Sequence, residues 1–267
     1  MQNQSLPYCR APGVGKGHSE TLLRYGLSKG LSISELLHGS NIPDSFLADP
    51  YDVPPMDELM LVSNVVNKLG SGFKSGFEVG TRYQITDLGL FGMALMTSKN
   101  GAHAAQLTQR YLDNAFNFTN MKLSLMNGKY KMTWKLRLEF EEEINRFLLA
   151  RDVGICHVVQ SYVLRNQDRN AYEIGFAFPY EKGMDDIAKS FGCPVRHNQE
   201  ENYIIADIRQ LSAEPPFSNY INAQAIEKAY QTVLNKPNNQ PQLKEKVRNY
   251  LLETSSFNIP KREVASH

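Results

Sequence analysis

Cysteine is scarce and out of pattern in this chain. Cys9, Cys156 and Cys193 are odd in number, far apart, and contain no CxxC pair. That argues for a reducing compartment and against both a disulfide framework and a structural zinc site. No apolar run approaches membrane-spanning length, and Met1–Gly17 lacks the apolar core of a signal peptide. The expectation is a cytoplasmic protein that does not enter a membrane. Excess charge is missing too. With 29 Lys and Arg against 28 Asp and Glu, the net charge of +1 gives no global field toward nucleic acid or lipid. Repeats are absent, and so is low complexity, apart from the polar stretch Lys236–Pro241 (KPNNQP), which reads as a linker.

What is present is 267 residues, 42% of them hydrophobic, enough for one large core or two smaller ones. Residues 1–17 carry Pro7, Pro12 and three glycines and read as an arm. From His18 onward the pattern is helical. Gly30 supplies a stop, and Ser32 followed by Glu35 makes a capping box for the next helix. A short helix is expected around Pro43–Ala48. Pro55 then suits the start of a helix over Met56–Leu69, with Leu59, Val62, Val66 and Leu69 on its core face. Residues 18–70 thus form a helical unit, followed by an α+β core over 71–235. Leu88–Thr97 is apolar enough for strand or helix; its Met and Ala and its lack of Val or Ile favour helix. Gly101–Phe116 continues as a helix.

The strongest β signal follows. Met121, Leu123 and Leu125 alternate with polar residues, as do Tyr130, Met132, Trp134, Leu136 and Leu138, and Asn127-Gly128 stands between the two runs. One face is apolar and the other carries Lys129, Lys131, Lys135 and Arg137, so the sheet should be covered on one side only. Glu141–Arg165 reads as a long central helix with acidic residues at its positive end and a Val153–Leu164 stretch apolar nearly all round. Tyr172–Phe178 alternates as a strand, Met184–Phe191 is a helix closed by Gly192 and Pro194, and Val195–Asn198 with Tyr203–Ala206 look like a second strand pair. Ala223–Leu234 is amphipathic. The fold class is α+β: an N-terminal helical unit and an antiparallel sheet packed on a long central helix.

Catalytic constellations do not form. Gly13–Gly17 has the glycines of a phosphate loop without its spacing or its preceding strand. The six histidines show no ligand spacing. Cys156 and His157, adjacent on a helix, point to different sides, and Cys193 before Pro194 has no basic helper. Glu141, Glu142 and Glu143 read as a helix-start cluster. No enzyme activity, cofactor or metal is expected. The cationic hairpin face is separated from Tyr130 and Trp134 on the other face, so a solvated surface describes it better than a nucleic-acid platform.

The central helix carries the candidate site. Ile144, Leu148, Ile155, Val159 and Tyr162 define a stripe, and Arg151 falls on it beside Asp152, with His157 one to two turns later. A buried Arg needs partners, either a ligand carboxylate or phosphate held bidentately or an internal salt bridge. Arg151, His157, Tyr162 and Trp134 are the candidate ligand-binding residues. Core packing is the bland alternative for Trp134 and Tyr162.

The tail, Leu243–His267, places Val247, Tyr250 and Leu251 on a short helix, then a Phe257–Pro260 loop and a second helix start. Here Pro260, Val264 and Ala265 resemble the entry to the DNA-binding domain of AraC/XylS-type transcription regulators. The body resembles the N-terminal effector domain of the branch related to ornithine-utilisation regulators. Carrying residues are Gly30-Leu31, Leu36-Leu37, Leu47–Pro50, Val53-Pro54, Leu88–Ala94, Arg146–Leu149, Phe191–Val195 and the strand at Tyr203–Ala206. The resemblance implies an effector-sensing and dimerisation domain over 18–235, a linker over 236–242, and over 243–267 the start of a helix-turn-helix domain cut before its recognition helix.

The expected function is therefore the small-molecule-sensing part of a DNA-binding transcription regulator. Its implied partners are a small-molecule effector, a second copy of the chain, and DNA only through a C-terminal region this sequence lacks. A stand-alone module that titrates partners is the alternative reading, with a small-molecule enzyme behind it.

Overall fold

The computed structural model describes residues 14–111, 118–163 and 173–234. The expected tail helices, the linker and most of the N-terminal arm lie outside these residues.

Helix α1 (Val14–Ser28) begins earlier than the glycine content suggests. Gly17 is pressed against helix-flanking backbone: a Cβ there would lie 2.3 Å from the Asp87 carbonyl oxygen. The glycine serves close packing, which fixes residues the sequence assigned to an arm. Helix α2 (Ile33–Leu37) carries the capping box in full, with the Ser32 hydroxyl accepting from the Glu35 amide and Glu35 accepting from the Ser32 amide. A 3₁₀ turn at Asp44–Leu47 precedes α3 (Pro55–Leu69), where Pro55 takes the first helical position, and Gly70 ends the helix in a left-handed conformation. Helices then continue past residue 70: α4 (Gly72–Gly80), α5 (Gly89–Met96) and α6 (Gly101–Tyr111).

Strands β1 (Thr119–Met126) and β2 (Lys129–Leu136) form the expected hairpin, with Asn127 and Gly128 both at positive φ as a type I′ turn requires. After the central helix α7 (Glu142–Val163) come β3 (Glu173–Gly175), α8 (Met184–Phe191), β4 (Val195–Arg196), β5 (Asn202–Asp207) and α9 (Tyr220–Leu234). The sheet order is β1-β2-β5-β3-β4. Here the strand-pair expectation fails. β5 and β4 do not pair with each other; β3 lies between them, parallel to β4 and antiparallel to β5. Ile174 is the reason in packing terms. It is fully buried, and it stands beside Ile204 on one side and Val195 on the other.

Two cores meet at α7. Ile144, Phe147, Leu148, Ile155 and Val163 join the helical core, whereas Leu149, Ala150 and Val153 join Tyr130, Met132, Trp134, Ile204 and Phe176 on the covered face of the sheet. Lys129 and Lys135 on the opposite face are exposed. The far end of α7 departs from expectation: residues 156–160 are half-buried and Tyr162 is exposed. His157, Val158, Ser161 and Tyr162 face a cleft shared with α4 and α8, while Ile155, Val159 and Val163 keep to the core side.

Helix α4 approaches α7 backbone to backbone. Gly72, Gly76 and Gly80 recur every fourth residue. A Cβ on each would come 2.0, 2.2 and 2.2 Å from the carbonyl oxygens of Glu143, Phe147 and Arg151 respectively. Gly154 completes the seam, its own Cβ position lying 2.8 Å from the Gly80 Cα. Only glycine permits this separation, and the Gly72 amide donates to the Glu143 carboxylate at 2.7 Å where the helices begin to run together.

Candidate functional site

The structure does not gather the four expected residues around one cavity. Arg151 is 1% exposed and lies in an internal ionic centre. Its Nη1 donates to Glu58 Oε1 on α3 at 2.9 Å, and its Nε donates to Asp152 Oδ1 at 3.0 Å. Asp152 also accepts from the Thr119 hydroxyl at 2.5 Å, and Glu58 meets His18 Nδ1 at 3.4 Å. Burial works against the guanidinium's charge, but Asp152 and Glu58 outweigh it and its pKa is raised. The centre ties α1, α3, β1 and α7 together. Of the two partners the sequence allowed for Arg151, the internal salt bridge is the one present. Trp134 is 1% exposed within the sheet core and lines neither the cleft nor the apolar cavity under α7.

His157 and Tyr162 do come together. They line an open cleft with Lys74 and Glu78 of α4 and Asp186 and Ser190 of α8. Glu78 is held from outside the cleft, binding Lys29 at 2.6 Å and accepting from the Tyr25 hydroxyl at 3.0 Å. The His157 ring packs against Phe191, centroid to centroid at 4.5 Å.

A separate, apolar cavity lies under α7, where the helix passes the hairpin. Its walls come from five places: Leu88, Phe91 and Leu95 around α5; Ala104, Ala105 and Thr108 on α6; Met121, Leu123, Tyr130 and Met132 on the hairpin; Ile155, Cys156, Val159, Gln160 and Val163 on α7; and Leu211 in the 3₁₀ turn after β5. The space open to the centre of a water molecule is about 80 Å³. Of Trp134, Tyr162 and the sheet aromatics, which from sequence could line an apolar pocket under the central helix, Tyr130 is in these walls. Trp134 and Tyr162 are not; the other walls fall on further positions of α7 and the hairpin and on α5 and α6. Gln160 was the available signal, a lone amide in the run Val158-Val159-Gln160 of an otherwise apolar helix face. Its Nε2 is buried without a hydrogen-bond partner.

Among the described residues the cavity offers no activated nucleophile. Burial pushes the Cys156 thiol up to about 12, so it is protonated at neutral pH. Among the described residues no cluster of His, Cys, Asp or Glu could hold a metal ion, and no helix is long and apolar enough to cross a membrane.

The cavity also adjoins α9. Phe91, a wall residue on α5, stacks on Tyr230 of α9 with centroids 6.4 Å apart and planes at 29°. Tyr230 meets Tyr111 of α6 edge-on at 4.9 Å, and Glu227 accepts from the Tyr111 hydroxyl at 2.9 Å and from Arg110 at 2.5 Å.

Residues 30–214 match the family model described as the arabinose-binding domain of AraC transcription regulators, N-terminal. The chain belongs to this family. Two curated relatives, uncharacterised HTH-type transcriptional regulators of Mycobacterium bovis and Mycobacterium tuberculosis, are each 26% identical over 141 residues. Those alignments cover 51% of this AraC-type chain and 40% of each relative, so the chain spans well under two thirds of their length. The crystal structure of the transcriptional regulator CdpR from Pseudomonas aeruginosa shares the fold, with a TM-score of 0.60 at 14% identity over 92% of this chain and 72% of that one. The α+β architecture expected from the sequence is that of an AraC-type N-terminal domain, and the family is one of transcription regulators.

Proposed function

We propose that this chain is the effector-sensing and dimerisation portion of an AraC-type regulator, and that the apolar cavity under α7 receives the effector. The observation that carries the reading is the double role of Phe91, which forms cavity wall on one side and the seat of α9 on the other. A molecule that binds better to one seating of α9 than another shifts the balance between them. The linker Lys236–Pro241 follows α9 directly in sequence, so this shift has a route toward a DNA-binding unit of the kind the relatives' HTH names denote. DNA contact belongs to that unit, and two copies of this portion pair.

The test is a small-molecule thermal-shift screen on the wild-type chain and on Ala104→Phe, which fills the cavity from α6. Hits that raise the melting temperature of the wild type and fail to do so in the variant support the site. Hits that stabilise both equally sink it. Light scattering tests pairing, with a mass near twice 30.2 kDa expected.

A further inference from the structure

We infer that the cavity selects an uncharged, mainly apolar molecule carrying a single hydrogen-bond acceptor, of the ketone, ester or amide class, and rejects sugars, amino acids and carboxylates. This deepens the proposed site and rests on it. The first observation is the chemistry of the walls. Among the described residues, no Lys, Arg, His, Asp or Glu lines the cavity. An ionised group brought into such a space loses its water and gains no counter-charge, which costs several kcal/mol for each ion. A carboxylate or a zwitterion is therefore disfavoured. A sugar fares no better, because each of its hydroxyls needs a partner and the walls are mostly hydrocarbon.

Polar supply at the walls is small and one-sided. The Thr108 hydroxyl is committed, donating to the Ala104 carbonyl at 2.9 Å. Tyr130 donates to Gln210 Oε1 at 3.4 Å, behind the wall. Cys156 remains a neutral thiol, a weak donor. The strong buried donor left over is the Gln160 amide, whose Nε2 has no partner; the other wall amide, Gln109, is exposed to solvent. A buried amide nitrogen in that state is costly unless an acceptor completes it. A ligand carbonyl supplies that acceptor and brings no charge.

Shape agrees with this. Gln109 is an exposed wall residue, so the cavity opens on its side, whereas the wall residues Ala104 and Ile155 are buried. About 80 Å³ for water centres is less than the roughly 150 Å³ cavity that takes up benzene. A narrow hydrocarbon end fits inside, and the remainder of the molecule extends to the mouth.

The experiment uses three ten-carbon probes, 2-decanone, decanoate and decane, together with arabinose and ornithine, titrated by calorimetry against the wild type, Gln160→Leu and Ala104→Phe. Gln160→Leu keeps the side-chain bulk and removes the donor. The expected result is that 2-decanone binds the wild type, that decanoate, arabinose and ornithine do not, and that 2-decanone exceeds decane by about tenfold. That advantage disappears in Gln160→Leu, and all binding disappears in Ala104→Phe. Tighter binding of decanoate, arabinose or ornithine than of 2-decanone, lost in Ala104→Phe, overturns the ligand class while leaving the sensing site standing. Binding that survives Ala104→Phe overturns the site itself. Failure of 2-decanone to bind the wild type overturns the class, and so does an undiminished ketone advantage in Gln160→Leu. Circular dichroism and melting temperature show whether each variant is folded. Should Ala104→Phe fail to fold, Val159→Phe fills the same space from α7.

Discussion

Arg151 and Glu58 face each other across the helical core, Nη1 to Oε1 at 2.9 Å, with 1% and 0% of their side chains exposed. They are 93 positions apart, so the pair fastens the central helix to α3. Sequence alone identifies the Arg, because a cation in an apolar stripe stands out. It does not identify the Glu, because Asp57 and Glu58 in the first turn of α3 look like ordinary dipole-complementing residues. Packing buries both, Asp57 against the Asn41 amide groups and Glu58 against Arg151.

Arg151→Met tests this centre. The substitution leaves the Glu58 and Asp152 carboxylates buried without their cation, and the expected loss is about 3–5 kcal/mol by urea denaturation at pH 7. A buried carboxylate that has lost a counter-charge holds its proton more tightly folded than unfolded. The variant should therefore regain stability as pH falls toward 5, relative to the wild type. A loss below about 1 kcal/mol, or no recovery in acid, contradicts the structural role.

Gly76→Ala tests the α4–α7 seam. The new Cβ meets the Phe147 carbonyl oxygen at 2.2 Å, and backbone cannot rotate aside as a side chain can. A loss at or above the upper end of the usual overpacking range, about 3 kcal/mol, is expected. Lys74→Ala, on the same helix with its side chain 45% exposed, should cost under about 0.5 kcal/mol. Equal effects of the two would mean that the helices are not in backbone contact.

Much of the fold is legible in residue order, and the exceptions share one cause. The capping box at Ser32, the proline start at Pro55, the Asn127-Gly128 turn and the Gly192 stop are local signals, and each sits where its chemistry demands. Gly17, Gly72, Gly76 and Gly80 look like flexibility or interruption when read singly. Their meaning is close approach to a distant element, which no local window contains. The same holds for the β3 insertion between β4 and β5. For the site, α7 and the hairpin are legible as its frame. Which faces line the cavity depends on where α5 and α6 land.

Stability should fall in alkali in a defined window. Burial raises the Cys156 and Cys193 thiols from 9.0 to about 12, and raises Tyr25 from 10.0 to about 12. Each is an acid that keeps its proton longer when folded. Their contribution is intact below pH 9 and is lost as pH climbs from 9 toward 12, where the unfolded chain ionises first. Urea midpoints measured from pH 8 to 11 should decline, and Cys156→Ala should flatten part of the decline. Cys156 should also resist iodoacetamide at pH 8. Rapid alkylation there would show a thiolate that the surroundings do not permit.

Helix α9 hangs on few side chains. Among its described side chains, Ala223 and Tyr230 are the fully buried ones, and Tyr220 and Ile221 at its start are exposed. Tyr230→Ala removes the ring that joins Phe91 to Tyr111, so α9 should detach locally while the sheet stays intact. Hydrogen exchange is expected to accelerate at least tenfold over 223–231, with β2 and β5 amides unchanged. Tyr230→Phe is the informative companion. The Tyr230 hydroxyl is buried without a hydrogen-bond partner, so deleting it removes an unmet polar group and keeps the ring contacts. Stability should hold or rise by about 1 kcal/mol, and α9 protection should be retained. If Tyr230→Phe loosens α9 as much as Tyr230→Ala does, the hydroxyl rather than the Phe91–Tyr230 stack seats the helix. Transmission from the cavity would then have to run through the Tyr111–Glu227 contact instead.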